Sequence, residues 1–179
     1  MRRPLHDGVR VMAVIAMALT GGCYESDVPL DPAPGLEVET AWLGTWRCLP
    51  FNADADEHPA TIVAKRAADK RYDVTWHEGE KPPDRYEAFA SAVGEARLLN
   101  VREVKADGAT GKWVFLRPTL LRPDVLQLQI VNEGALKGVE GAAPAVRAAI
   151  ERQVASATLF IDFCACVRAK ESGEPAPER

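Results

Sequence analysis

The sequence predicts a mainly β domain: an antiparallel up-and-down barrel of about eight strands, with one amphipathic helix before the last strand. Three observations carry that expectation. Eight short runs of β-type residues are separated by Gly, Pro, Asn and Asp chemistry suited to turns. Only one segment, near the C-terminal end, has helical spacing. The runs follow one another closely, so a meander of neighbours can close first strand on last and leave no open sheet edge.

Taken in order, Leu43–Leu49 is the first run, and Ala60–Arg66 is the second, after the acidic stretch Asn52–Pro59. Arg71–His77 alternates, with Tyr72, Val74 and Trp76 on one face and Arg71, Asp73, Thr75 and His77 on the other. The intervening Ala67–Lys70 suits a hairpin. A turn at Glu78–Pro83 leads to Asp84–Ser91, which joins Ala96–Lys105 near Gly94. Asp107-Gly108 marks the next turn. Lys112–Pro118 and Val125–Asn132 follow, joined through Arg122-Pro123-Asp124. In the latter, Leu126, Leu128 and Ile130 oppose Gln127 and Gln129, the pattern of a half-buried strand with one polar face.

Pro144 suits the first turn of a helix over Ala143–Ala155. Val146, Ile150 and Val154 recur at four-residue steps, and Arg147 and Glu151 form an i,i+4 pair. The last run, Thr158–Arg168, carries apolar residues at both odd and even positions. Cover on both faces is expected, by the barrel interior on one side and the helix on the other.

The N-terminal stretch reads as a targeting leader. Arg2, Arg3 and Arg10 precede the apolar run Val11–Leu19, and Leu19-Thr20-Gly21-Gly22 leads into Cys23. This resembles a bacterial lipobox, and the resemblance implies a signal peptide over 1–22, cleavage before Cys23, and membrane attachment through acyl groups on that residue. Tyr24 stands where the resemblance would place an aspartate for retention at the inner membrane, so the periplasmic face of the outer membrane is the implied address. Residues 23–40 hold Pro29, Pro32 and Pro34, several acids and few large apolar groups, and are expected to form a disordered tether. The barrel is expected over 41–168, with a disordered tail over 169–179.

Cleavage takes three arginines and Asp7 from totals of 22 basic and 26 acidic residues, leaving 19 against 25, a net charge of −6. An acidic domain of this kind argues against nucleic acid or anionic lipid as the principal partner.

The first run contains Gly44-Thr45-Trp46, a G-x-W motif. Here the chain, over Trp42 to Arg168, resembles the lipocalin-like, or calycin, barrels. The resemblance implies that Trp46 plugs the closed end of the barrel and that Arg168, on a late strand, stacks near it. It departs from the family in reducing the Thr-Asp-Tyr signature to Asp124, and in placing the helix before the eighth strand.

Four cysteines are present. Besides Cys23, Cys48 lies on the first strand, and Cys164 and Cys166 share one face of the last. Closure makes those strands neighbours, so a seam disulfide from Cys48 to either Cys164 or Cys166 is expected in an exported domain. A bridge enclosing over a hundred residues is worth about 4–5 kcal/mol in the chain-entropy model. A thiolate metal site using these cysteines with His58 or His77 is the rival reading, but no nearby His completes the C-x-C pair. A C-x-C redox pair is a further rival, and it lacks the helix N-terminus that lowers a thiol pKa.

No catalytic constellation stands out. Asn52, Asp54, Asp56 and Glu57 lack the glycine and glutamate spacing of a calcium loop. Gly108–Lys112 is too short for a phosphate loop and is flanked by strands. The histidines are not held near a serine or cysteine nucleophile. Trp46, Tyr72, Trp76, Trp113 and Phe115, with Trp42, either line an internal cavity or fill the core. The expected function is therefore that of a non-enzymatic, lipid-anchored periplasmic module without a cofactor, binding a small apolar or amphiphilic ligand in the barrel. The alternative is an envelope assembly or inhibitor protein that docks another protein through the barrel exterior.

Overall fold

The computed structural model describes residues 22–51, 59–139 and 141–170. The leader as far as residue 21, most of the acidic loop, including His58, and the tail from residue 171 lie outside the described residues.

Eight strands form a closed antiparallel barrel in sequence order: β1 (Gly44–Pro50), β2 (Ala60–Arg66), β3 (Arg71–Glu78), β4 (Asp84–Val93), β5 (Ala96–Glu103), β6 (Val114–Arg122), β7 (Val125–Val131) and β8 (Phe160–Arg168). The helix α1 (Ala143–Gln153) precedes β8, as the sequence predicts. The seam pairs Trp46 with Arg168 and Cys48 with Cys166. The β2–β3 hairpin turns at Asp69 and Lys70, with φ of 53° and 60°, and Arg71 donates its amide to Ala68 O at 3.2 Å. Left-handed backbone at both central positions matches the twist of the flanking strands. Among the described residues no helix is long and apolar enough to cross a membrane.

Two strands differ from their sequence reading for identifiable reasons. Strand β6 runs through Pro118 to Arg122 instead of stopping at the proline. Its pairing with β5 ends at Leu99–Leu116, while pairing with β7 continues through Pro118–Leu128. A missing N–H is tolerated where one neighbour has already gone. Strand β8 has a register shift against β7: Ile130 faces Ile161, Gln129 faces Asp162, and Leu128 faces Cys164. The extra residue moves the inward positions from odd to even. This bulge accounts for the inward Cys164 and Cys166, whereas Phe160, before it, faces outward and is covered there as expected; Val167, also on the outer face, is 54% exposed.

The barrel has two cores. The interior holds Trp46, Ile62, Leu126, Leu128, Cys164 and Cys166, and beside them Tyr72, Ala88 and Val101. A second core lies outside the sheet, where Phe89, Val93, Leu98, Trp113, Phe115, Val131 and Phe160 are buried. It is covered by Val146, Ala149 and Ile150 of α1 and by Tyr24 and Leu30. Helix α1 thus packs over the β4 side of the barrel and leaves the C-terminal half of β8 uncovered. Arg147 pairs with Asp31 at 2.7 Å, in place of the i,i+4 contact with Glu151 expected from the sequence.

The expected tether is the main correction. Residues 22–39 lie against the barrel, with Tyr24, Ser26, Leu30 and Val38 all buried. The Tyr24 amide donates to Val131 O at 3.0 Å, and Ser26 and Trp113 exchange backbone bonds at 2.8 Å each way. The segment begins as a short wedge between the ends of β6 and β7, which part beyond Leu116–Ile130. It then runs down the outside: Leu30 donates its amide to Asn100 Oδ1 at 2.7 Å, and Asn100 in turn donates to Phe89 O and Ser91 Oγ. The same prolines that read as a leash also lower the chain entropy lost when an extended segment is laid on a surface.

A candidate apolar ligand site inside the barrel

One end of the barrel is closed. A 3-10 turn at Thr40–Trp42 crosses it just before β1. Arg168 stacks over the Trp46 ring with Cζ 4.1 Å from the centroid, and donates to Leu43 O at 2.7 Å and Ala41 O at 2.8 Å. Gly44 makes this approach possible: its φ is +114°, and a Cβ there would sit 2.8 Å from Arg168 Nη1. The indole N–H of Trp46 donates to Trp42 O at 3.1 Å. Each buried polar atom of this floor thus has a partner.

Above the floor is a cavity of about 340 Å³. Its walls are aliphatic, including Ile62, Val74, Leu99, Val101, Leu116 and Leu128. Small side chains at Ala64 and Ala88 leave the space open. Tyr72 lies low in the wall, where its hydroxyl accepts the Glu39 amide at 2.7 Å. Burial pushes the Tyr72 phenol up from its ordinary pKa, and burial followed by Asp84 and Glu103 does the same to Tyr86. The opposite end is ringed by Trp76 and Phe163, 5.9 Å apart, and by Tyr86, Cys23 and Glu25. A concave, mostly apolar space with a few polar groups at its mouth is the form taken by small-molecule sites.

The structure places Trp46, Tyr72 and Trp76 on the cavity, together with Trp42. Trp113 and Phe115 are elsewhere. In β6 the inward positions are Val114 and Leu116, so Trp113 and Phe115 face outward into the second core. The sequence carried no sign of this, because an alternating strand buried on both faces has apolar residues at every position. Two mouth residues, Glu25 and Tyr86, carry no distinguishing signal in the sequence. Glu25 comes to the rim only through the docking of a segment that reads as a tether.

The seam disulfide joins Cys48 to Cys166. Cys164 keeps its thiol, 3.7 Å from the Cys166 sulfur, and burial pushes its pKa up to about 12. The three sulfurs lie within 4.8 Å of one another. With two of them bonded together, Cys164 is the one thiolate donor the cluster can offer, and His77 is exposed on the outer face of β3. A low-pKa thiol pair is not formed, since Cys164 is shifted the opposite way. Cys23 is exposed at the rim, its pKa raised by partial burial and then by Glu25 and Glu133.

On the outside, Gln127 and Gln129 both donate to Asp162 Oδ1 at 2.8 Å, and Arg117 donates to Gln129 while lying over the Phe160 ring at 3.9 Å. This polar strip is what the alternating glutamines of β7 serve. Comparison of the chain with protein-family models, with curated proteins and with solved structures finds no match.

Proposed function

We propose that this chain is a lipid-anchored, non-enzymatic module of the cell envelope, of lipocalin-like design, that holds a small apolar or amphiphilic molecule in its barrel. The observation that carries the reading is the cavity of about 340 Å³, walled by aliphatic side chains and bounded by aromatic ones. A core filled to ordinary density would leave no such space. The address rests on the leader and on Cys23, and the periplasmic face of the outer membrane is the proposed location.

The test uses the full chain expressed in a diderm bacterium and extracted from its membranes. Native mass spectrometry is expected to show a product beginning at Cys23 with acyl mass attached, and a Cys23→Ser variant without it. An environment-sensitive apolar dye, 1-anilinonaphthalene-8-sulfonate, should bind the detergent-extracted protein at one site. Ala88→Phe, which fills the cavity from β4, should abolish that binding while leaving the circular dichroism spectrum intact. Dye binding unchanged by Ala88→Phe would refute the cavity as the site.

A second reading, docking of an envelope protein, is favoured by Leu49 and Val167, which are 52% and 54% exposed on the adjoining strands β1 and β8. Substituting both by Lys should leave dye binding unchanged under the first reading and release a co-purifying protein under the second.

A further inference from the structure

We infer that the barrel stands with its open end directly on the membrane that holds its anchor, and that the occupant of the cavity is a single acyl chain drawn from a lipid of that membrane. The inference rests on the reading of Cys23 as the lipidated residue. It adds the ligand class and the route of entry.

The wedge of residues 23–26 carries the argument. Its strand-like alternation sends Tyr24 and Ser26 outward, where both are buried, and brings Cys23 and Glu25 to the cavity's mouth. The mouth lies at the end opposite the Trp46–Arg168 floor. A leash between lipid and domain would allow any orientation. None exists here, because the segment after Cys23 is held along its length. Tyr24 Oη donates to Val139 O at 2.8 Å, Leu30 is held by Asn100, Asp31 by Arg147, and the Glu39 amide by Tyr72. An anchor on Cys23 therefore fixes the lip of the cavity at the lipid surface. Trp76 and Phe163 ring that lip, and Phe51, 49% exposed, lies next to them, its backbone N–H donating to Phe163 O at 3.1 Å. Aromatic side chains of this kind suit a boundary that is apolar on one side and wet on the other.

Size and charge narrow the occupant. A space of about 340 Å³ takes roughly eleven groups of the volume of a water molecule in the liquid, about 30 Å³ each. That is the scale of about ten methylenes, a stretch of one acyl chain. Glu25, Asp27 and Glu133 cluster with Cys23 on the surface beside the mouth, where, among the described residues, Lys112 and Lys137 are the cations. A zwitterionic or neutral headgroup meets less repulsion there than an anionic one.

The experiment places the lipidated full chain in phosphatidylcholine vesicles containing a phosphatidylcholine with a diazirine near the end of one acyl chain. Irradiation and peptide mapping are expected to locate adducts at Leu99, Val101 and Leu116. A variant with a 20-residue Gly/Ser insert between Cys23 and Tyr24, a spacer of about 25 Å root-mean-square length, should lose at least tenfold of that labelling while binding 1-anilinonaphthalene-8-sulfonate as before. Equal labelling of both forms would overturn the orientation. Adducts formed instead by a diazirine carried on the protein's own Cys23 acyl chains would overturn the choice of occupant. Failure of the native protein to bind the soluble dye would instead count against the ligand-binding reading, so the two failures are distinguishable.

Discussion

The side-chain oxygen of Asn100, at the centre of β5, accepts the backbone amide of Leu30 at 2.7 Å, across seventy residues of chain. Asn100 is fully buried, and its other side-chain bonds are to β4. One amide group thus ties the N-terminal segment to the outer face of the barrel. Asn100→Ala leaves the Leu30 N–H without its partner in a buried place, at an expected cost of about 1–3 kcal/mol. Hydrogen exchange at Leu30 and limited proteolysis within 24–39 should both rise, and an unchanged exchange rate there would refute the role of this contact.

Arg168→Met removes the cation over Trp46 and leaves the carbonyls of Leu43 and Ala41 without their donor. A loss of about 2–4 kcal/mol in urea unfolding is expected. Arg168→Lys should recover part of it, since one ammonium cannot serve both carbonyls in the geometry of a guanidinium fork.

Gly44→Ala combines an unfavourable φ with a Cβ placed against Arg168. The expected cost is about 1–3 kcal/mol. Because the two sites touch, the double variant with Arg168→Met should lose less stability than the two single variants added together.

The Cys48–Cys166 bridge closes the barrel seam over a separation of 118 residues. Replacing both by Ala should lower stability by about 2–5 kcal/mol, read as a fall in Tm. In the unlipidated native protein one thiol, exposed Cys23, should react with Ellman's reagent and release one thionitrobenzoate. Denaturation should expose Cys164 as a second. Two fast-reacting thiols in the folded state would contradict its burial.

Cys164 also sets an alkaline limit. Its pKa is raised in the folded state from 9.0 to about 12, so above pH 9 the unfolded chain gives up a proton that the folded chain retains. Stability from this source is complete below pH 9 and declines between pH 9 and 12, by up to about 1.4 kcal/mol per pH unit. The pH dependence of Tm between 9 and 10 should be shallower in Cys164→Ala than in the native chain. Tyr72 and Tyr86 add their own dependence at higher pH in both proteins and cancel in the comparison.

Much of the barrel is legible in the sequence because its determinants are local. Alternation in β3 and β7, the turn chemistry at Asp107-Gly108 and Pro123-Asp124, and Pro144 at the start of α1 mark elements without reference to the rest of the chain. The shared parity of Cys48 with Trp46 and of Cys164 with Cys166 also brings the seam into view, because closure follows from strand order. What only the tertiary structure decided depends on partners distant in sequence. The parity change in β8 arises from a bulge against β7, and the choice of Cys166 over Cys164 follows from the resulting register. Trp113 and Phe115 turn outward because a second core exists there. That core exists because Tyr24 and Leu30, in a segment too polar to fold alone, pack against Asn100, Val131 and α1. Periodicity records which faces of a strand are apolar, but only the packed molecule determines what covers each face.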